Sequence, residues 1–230
     1  MTDLLDGLPP TPPPTAHEVF GARLPVLEAY AVLLAGPAIE RGLLGPREAP
    51  RLWERHLLNC AGLADLVADG DVVLDLGSGA GLPGIVLAAQ RPEVRVLLVE
   101  PLQRRAAFLV EVVDSLALPN VEVRRARAED LVGSISVDIV TARAVAPLDR
   151  LAAWALPLLV PGGRLLALKG DRADGELAAG RAALRRIGGM RARVEQVGRA
   201  ELATLARVVV VERTEAGPPA LRPTGPRARR

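Results

Sequence analysis

The feature that most constrains the fold of this 230-residue chain is an alternation of short aliphatic runs with helical stretches. Each run is rich in Val and Leu, and helical patterns follow most of the runs. Parallel strands need a crossover connection, usually a helix, so the alternation predicts a mostly parallel β-sheet covered by helices. The runs are DVVLDLG at 71–77, VRVLLVE at 94–100, VEVRRA at 121–126, SVDIVTA at 136–142 and GRLLALKG at 163–170.

The end of the chain departs from this alternation. Two further runs, ARVEQV at 192–197 and LARVVVVER at 205–213, are separated by only a short link. A short link joins antiparallel strands, because a parallel pair would need a crossover between them. The predicted fold class is therefore α/β and Rossmann-like, with a mostly parallel sheet that ends in an antiparallel strand pair.

Composition divides the chain into four regions. Residues 1–14 are rich in proline and predict a disordered N-terminus. Residues 15–68 carry apolar side chains at helical spacing and predict an N-terminal helical extension. Residues 69–213 form the α/β domain, and residues 214–230 predict a flexible basic tail. The arginines of this tail are equally consistent with a phosphate contact and with a solvated segment.

Cysteine content and hydropathy indicate the compartment. The single cysteine, Cys60, excludes an internal disulfide and fits a reducing environment. No apolar stretch is expected to reach the roughly 18 to 20 residues of a membrane span. The N-terminus carries acids where a signal peptide would carry Lys or Arg. These features predict a soluble cytoplasmic protein with no membrane partner, and they leave the oligomeric state open.

A glycine-rich turn, DLGSGAGLPG at 75–84, follows the first aliphatic run. Asp75 ends the run, and Gly77 and Gly79 follow at once. Glycines at such a turn allow positive φ and leave room for a nucleoside against the backbone. Asp75 is placed to hold the ammonium group of a cofactor, directly or through water. The next run ends in Glu100, whose carboxylate can accept both ribose hydroxyls of an adenosine.

Two classes of nucleotide enzyme share such a turn. Gly79, Gly81 and Gly84 also satisfy G-x-G-x-x-G, which is typical of nicotinamide and flavin oxidoreductases. That motif should begin at the strand end, whereas here its first glycine lies four residues after Asp75. The register of D-x-G-x-G-x-G and the antiparallel strand pair favour S-adenosylmethionine as the cofactor, in a class I methyltransferase fold. The alternatives are a nucleotide-dependent oxidoreductase of Rossmann type and a non-catalytic RNA-binding assembly factor.

Six short motifs are specific in combination. They are RHLLNC at 55–60, DLGSGAGLPGI at 75–85, E-x-x-x-x-R-x-x-F-L at 100–109, RAE at 127–129, TARAVAPL at 141–148 and ALKG at 167–170. In these motifs the chain resembles the small-subunit (16S) ribosomal RNA guanine-N7 methyltransferases, also called glucose-inhibited division protein B. The resemblance covers roughly residues 20 to 212.

The resemblance implies both an activity and a site. The activity is S-adenosylmethionine-dependent methylation of a guanine N7 in 16S ribosomal RNA, either free or within the small ribosomal subunit. The implied cofactor contacts are Gly77, Leu82, Ala128, Glu129 and Arg143.

Methylation at guanine N7 agrees with the residues that the sequence offers. N7 carries an in-plane lone pair, so it can accept a methyl group without losing a proton, and no general base is needed. The sequence has no obvious catalytic triad or metal cluster, and we expect no metal. Arg143 and Lys169, the single lysine among 29 basic residues, are candidates for positioning RNA or the cofactor carboxylate.

Other basic side chains are candidates for contact with RNA. His56 lies on a predicted helix, and Arg104 and Arg105 begin the helix after Glu100. Lys169 completes this set of RNA-binding candidates. A packed helix face for His56 and a solvated face for the two arginines remain the alternatives.

Overall fold

The structure is a computed structural model that describes residues 9–200 and 205–214. The predicted disorder of residues 1–8 and the predicted flexibility of residues 215–230 fall outside the described residues. Within the described ranges one seven-stranded sheet forms, in the order β3-β2-β1-β4-β5-β7-β6. Its strands are β1 (Val72–Leu76), β2 (Arg95–Val99), β3 (Val121–Arg124), β4 (Val137–Arg143), β5 (Leu159–Leu168), β6 (Gly189–Val197) and β7 (Ala206–Arg213).

The sheet is parallel except at one strand. Strands β1 to β5 pair in parallel, whereas β7 pairs antiparallel with both β5 and β6. Strand β6 lies one position beyond the neighbour of β5, and β7 then occupies the position between β5 and β6. The predicted sheet with an antiparallel pair at its end is confirmed.

Helices connect the strands and also precede them. Before the sheet lie α1 (Pro14–Phe20), α2 (Leu24–Leu33) and the short α3 (Asn59–Ala61), joined by turns of 3₁₀-helix and π-helix. The N-terminal extension is therefore helical, as predicted, although much of it is not regular α-helix. Within the sheet the connecting helices are α4 (Gly84–Gln90), α5 (Gln103–Ser115), α6 (Ala128–Leu131), α7 (Leu148–Ala155) and α8 (Ala173–Arg186).

Two hydrophobic clusters cover the two faces of the sheet. One cluster joins the N-terminal helices to α4 and α5 through fully buried side chains such as Tyr30, Leu57 and Ile85. The other joins α7 and α8 to the sheet through Leu151 and Leu177. Because the N-terminal helices share their core with the sheet, the division into an extension and a domain stays a prediction.

One helical stretch, Pro14–Ala38, is long and apolar enough to cross a membrane by length and composition alone, with a mean hydropathy of 1.5 in its most apolar window. The expectation that no stretch reaches this length was therefore wrong. A 3₁₀ turn interrupts the stretch, and a π-helix ends it. Leu27, Tyr30 and Leu34 from this stretch are fully buried in the core. This buried face packs against α4 and the neighbouring N-terminal helices.

The carboxyl ends of the parallel strands lie at one edge of the sheet. Strand β1 has β2 on one side and β4 on the other, so the connections that follow β1 and β3 diverge there. Such a divergence opens a crevice at the strand ends, where ligands of open α/β sheets bind. The glycine-rich turn after β1 and Arg143 at the end of β4 meet at this crevice.

Candidate active site

The turn after β1 is held by backbone hydrogen bonds to the next strand. The N–H groups of Gly77 and Ser78 both donate to the carbonyl of Val99, at 2.8 and 3.1 Å. Gly77, Gly79 and Gly81 all have positive φ, at +69°, +58° and +100°. Few side chains tolerate that backbone region, so the turn requires its glycines.

The glycines of the turn serve two different purposes. A Cβ at Gly84 would lie 2.4 Å from Leu98, and one at Gly81 would lie 2.6 Å from Ile85, so these two positions permit close packing. A Cβ at Gly79 would meet only the carbonyl oxygen of Gly77, at 3.8 Å. Gly79 therefore leaves open space beside the turn.

Asp75 lies behind the turn and is fully buried. Its Oδ2 accepts a hydrogen bond from the N–H of Gly84 at 3.0 Å, and its Oδ1 is buried without a partner among the described residues. Burial raises the pKa of this carboxyl to about 7, and the Gly84 hydrogen bond opposes the rise. The Asp75 carboxyl does not itself line a cleft. Its predicted contact with a cofactor ammonium stays a prediction.

Glu100 follows β2 and faces the turn. Its Oε2 accepts a hydrogen bond from the N–H of Gly79 at 3.1 Å, and its Oε1 accepts one from Leu102 at 3.0 Å. The residue is only 2% exposed. Each carboxylate oxygen can accept a further hydrogen bond, so a pair of adjacent hydroxyls can bind here.

A cleft of about 550 Å³ opens between this turn and the loop after β4. We call it the glycine cleft. Its size lies within the range of small-molecule sites. It is bounded by Leu43, Leu44, residues 77–80, Leu82, residues 100–102, Arg105 and residues 143–145.

A second cleft of about 710 Å³ adjoins the first, and we call it the charged cleft. Residues 143–145 line both clefts and form the seam between them. The charged cleft is bounded by Glu48, Arg55, His56, Asn59, residues 143–147, residues 168–170, Arg172 and Glu176.

Arg143 lies at this seam and is held from the charged side. One terminal nitrogen approaches Nδ1 of His56 at 2.8 Å, and the other donates to the carbonyl of Arg55 at 3.3 Å. On the far side of the ring, Nε2 of His56 lies 2.8 Å from a carboxylate oxygen of Glu48. The next residue, Ala144, has φ of +56°, a strained value for a residue other than glycine.

Lys169 lies across the charged cleft, and its side chain is 7% exposed. Its ammonium lies 2.8 Å from Glu176 and donates to the carbonyl of Ala146 at 2.5 Å. The lysine therefore holds the loop after β4 at Ala146, whereas His56 contacts Arg143 at the start of the same loop.

The structure brings most of the predicted site residues to these clefts. Gly77, Gly79, Leu82, Glu100, Arg105 and Arg143 line the glycine cleft, and His56, Arg143 and Lys169 line the charged cleft. Ala128 and Glu129 begin α6 and line neither cleft, and Arg104 is exposed outside both. The proposed roles of these three residues stay predictions. Within the described ranges, no group of three or more His, Cys, Asp or Glu could hold a metal ion.

Sequence analysis missed several residues of the site. Glu48 and Glu176 are acidic side chains in segments without a motif, yet they partner His56 and Lys169. Leu43 forms an apolar wall of the glycine cleft from a segment outside the predicted domain. The two acidic residues lie only seven or eight residues from their partners, but no motif marks the pairing, whereas Leu43 reaches the cleft from a segment distant in sequence.

Comparisons of sequence identify the relatives of this chain. A family model described as rRNA small subunit methyltransferase G matches residues 23–204. Ribosomal RNA small subunit methyltransferase G of Streptomyces avermitilis is 54% identical over 213 residues, which cover 92% of this chain and 89% of that protein. The protein of the same name from Thermobifida fusca is 52% identical over 219 residues, covering 94% and 92%.

Comparison of structures supports the fold. A SAM-dependent methyltransferase from Aquifex aeolicus superposes with a TM-score of 0.55 and 19% identity, covering 76% of this chain and 98% of that one. A predicted O-methyltransferase from Agrobacterium tumefaciens gives 0.52 and 22% identity, covering 75% and 90%. The chain therefore belongs to the rRNA small subunit methyltransferase G family, and it is an S-adenosylmethionine-dependent rRNA methyltransferase of Rossmann-like fold.

Proposed function

We propose that this protein transfers a methyl group from S-adenosylmethionine to N7 of a guanine in 16S ribosomal RNA, free or within the small subunit. The observation that carries this proposal is the meeting of two unlike clefts at one seam. The glycine cleft suits the cofactor, and the charged cleft suits a nucleotide of RNA. Residues 143–145 line both, so the two reactants would meet there.

The residues of the glycine cleft fit the adenosine part of the cofactor. Each oxygen of Glu100 has one backbone partner and can accept one ribose hydroxyl besides. Gly79 leaves space for the nucleoside against bare backbone. Leu43 and Leu82 supply apolar walls for a flat base. Bound there, S-adenosylmethionine supplies a methyl group on a positively charged sulfur.

The charged cleft fits RNA. Arg55 and Arg172 are exposed at its lining and can contact phosphate, although Arg55 also lies 3.7 Å from a Glu48 oxygen. Lys169 is paired with Glu176. Arginine forks bind phosphate oxygens in pairs, which orients a backbone without reading its sequence. The substrate is a cytoplasmic RNA, so the proposed place of action is the cytoplasm.

The reaction at N7 needs alignment and no proton transfer. The N7 lone pair forms the new N–C bond as the S–C bond breaks, and the bonding electrons stay on sulfur. The positive charge passes to the guanine, and no proton leaves. Holding nitrogen, methyl carbon and sulfur in line then supplies the catalysis, and Arg143 and Lys169 serve as positioning residues.

The test replaces N7 itself. The methylated guanine is first mapped by mass spectrometry on 16S RNA and on small subunits incubated with the protein. RNA that carries 7-deazaguanine at that position keeps Watson–Crick pairing but lacks the accepting lone pair. We expect RNA binding without methyl incorporation. Continued incorporation into this RNA would move the reaction to another atom and contradict the proposal.

The pH dependence supplies a second test. Since no side chain has to remove a proton, the single-turnover rate should show no base-type ionisation between about pH 6.5 and 9. A rate that rises tenfold per pH unit in this range would indicate a general base and contradict transfer to a free lone pair.

A further inference from the structure

A chain of hydrogen bonds runs from Glu48 through His56 to Arg143, from three separate elements. Glu48 belongs to the 3₁₀-helix Pro46–Arg51, His56 to the π-helix Leu52–Leu58, and Arg143 ends β4. The two contacts of the imidazole are both 2.8 Å long. His56 itself is 7% exposed, so its ring is largely shielded from water, whereas the Glu48 side chain is 28% exposed.

The partners determine the protonation state of the ring. A guanidinium can only donate, so Nδ1 of His56 must accept from Arg143 and carries no proton. The other nitrogen, Nε2, must then carry the hydrogen and donate to the Glu48 carboxylate. His56 is therefore neutral, in a single tautomer that satisfies both neighbours.

The charges around the ring agree with this assignment. Glu48 faces Nε2, Arg143 faces Nδ1, and Arg55 lies on the same helix. Across the charged cleft, Lys169 is paired with Glu176. Burial and the Arg143 charge lower the pKa of His56 from its ordinary value of 6.5, although Glu48 opposes the shift.

Anchoring matters because an arginine side chain is otherwise mobile. Immobilising such a chain costs rotamer entropy, so a side chain that is already held in place binds a reactant at lower cost. His56 and the Arg55 carbonyl engage two of the five N–H donors of Arg143, among partners in residues 9–200 and 205–214. The remaining donors lie at the seam of the two clefts, where they can meet an acceptor on either reactant.

We propose that Glu48 and neutral His56 are a positioning pair, which holds the Arg143 guanidinium at the seam so that methyl transfer depends on them through Arg143. The proposal rests on the proposed function for its substrate. It assigns His56 no direct contact with RNA and no proton transfer. Protonation of His56 would place an N–H on Nδ1 against the guanidinium, and the anchor would be lost.

The first test determines the tautomer of the His56 imidazole by NMR and needs no methyl transfer. The protein contains two histidines, His56 and the exposed His17, so two-bond ¹H–¹⁵N NMR of the imidazoles is simple to assign with His17→Asn. At pH 7.5 we expect His56 as the Nε2–H tautomer, and we expect its Nδ1 shift to move in Arg143→Ala. An Nδ1–H tautomer or an imidazolium would overturn the proposal, whatever the protein methylates.

The second test is a double-mutant cycle on single-turnover methyl transfer. We expect His56→Leu and Arg143→Ala each to slow transfer by about tenfold or more, as for loss of one charged hydrogen bond. If His56 acts only through Arg143, the double variant should match Arg143→Ala within about threefold. Multiplying effects would show that His56 has a role of its own and would overturn the proposal.

The third test uses a variant that keeps the acceptor but cannot ionise. In His56→Asn the side-chain oxygen takes about the position of Nδ1 and can accept from Arg143, so transfer should exceed that of His56→Leu. The wild-type rate and that of His17→Asn should fall with acid below pH 6.5, whereas His56→Asn should lack this limb. S-adenosylhomocysteine affinity measured at each pH separates loss of the anchor from loss of the fold. An unchanged acid limb in His56→Asn would contradict the positioning role.

Discussion

The two clefts are lined by different kinds of chemical groups. The glycine cleft presents backbone N–H groups, glycine Cα atoms and the carboxylate of Glu100, and its central residues lie between 75 and 105 in the chain. The charged cleft presents paired side chains, a hydrogen bond between Glu48 and neutral His56 and an ion pair between Lys169 and Glu176. Its residues come from segments between 48 and 176. The glycine cleft is built mainly from one stretch of sequence, to which the fold adds Leu43, Leu44 and residues 143–145, whereas the charged cleft is assembled from several distant segments.

The difference reflects what each cleft has to hold. The nucleoside of the cofactor is always the same. A rigid turn that leaves space for the nucleoside, together with a fixed carboxylate, can therefore bind it. An RNA brings phosphate charge and a base that must be turned toward the cofactor, so the protein needs cations held at set points. Substitutions in the glycine cleft should therefore change cofactor affinity, and those in the charged cleft should change transfer.

The largest expected effect is at Gly79. In Gly79→Val the side chain projects into the open space of the glycine cleft, so S-adenosylhomocysteine affinity should fall by about a hundredfold or more, roughly 2.8 kcal/mol. Isothermal calorimetry measures it. Gly70→Val is the matched control, because Gly70 also has positive φ and open space but lies outside both clefts. If both variants bind equally well, the space beside Gly79 does not hold the cofactor.

Removal of the carboxylate at Glu100 should have the next largest effect. Glu100→Ala deletes the predicted acceptor of the ribose hydroxyls and should cost about 1.5–3 kcal/mol of cofactor binding. The variant also leaves the N–H groups of Gly79 and Leu102 without their partner, so its stability should fall. Asp138→Ala controls for this loss, because Asp138 accepts from the N–H of Val72 outside the clefts. Unchanged affinity in folded Glu100→Ala would remove the ribose contact from this site.

A substitution in the charged cleft should slow methyl transfer without weakening cofactor binding. Lys169→Ala removes the ammonium that holds the Ala146 carbonyl, and single-turnover transfer should slow by about tenfold. Affinity for S-adenosylhomocysteine should stay within about twofold, since Lys169 does not line the glycine cleft. Arg181→Ala, at an exposed arginine of α8, controls for loss of a positive charge. A large loss of cofactor affinity in Lys169→Ala would show that the clefts are not functionally separate.

The last prediction concerns how the stability of the fold depends on pH through Asp75. The pKa of Asp75 is about 7 in the fold and near 3.8 when unfolded, so between these values the folded state holds a proton that the unfolded chain lacks. The stability from this group is therefore full below pH 3.8 and is lost as pH rises through about 7. Asp75→Asn keeps an acceptor for the Gly84 N–H but cannot ionise.

Thermal unfolding at pH 5 and pH 8 measures this prediction. Relative to Asp75→Asn, the wild-type protein should lose about 5–10 °C in Tm between the two pH values. Other titrating groups act on both proteins and cancel in the difference. Parallel pH profiles of the two proteins would place the carboxyl in a more polar environment than its burial indicates.

Sequence alone determined the fold class and most of the glycine cleft. The alternation of aliphatic runs and helices predicts a parallel sheet, and the short final link predicts its antiparallel end. Gly79 and Glu100 come directly after strand ends, and the carboxyl ends of parallel strands meet at one edge, so the sequence predicts that both lie at this cleft. These inferences use local patterns, and local patterns are visible along the chain.

Tertiary structure alone decided which side chains meet in the charged cleft. His56 and Arg143 are 87 residues apart in the chain, and Lys169 and Ala146 are 23 residues apart. It also showed that Gly81 and Gly84 permit packing whereas Gly79 leaves open space, which one motif does not distinguish. The physical reason is that long-range contacts depend on how whole elements pack. Single residues such as Glu48 and Glu176 belong to no motif, and only the structure shows that they contact His56 and Lys169.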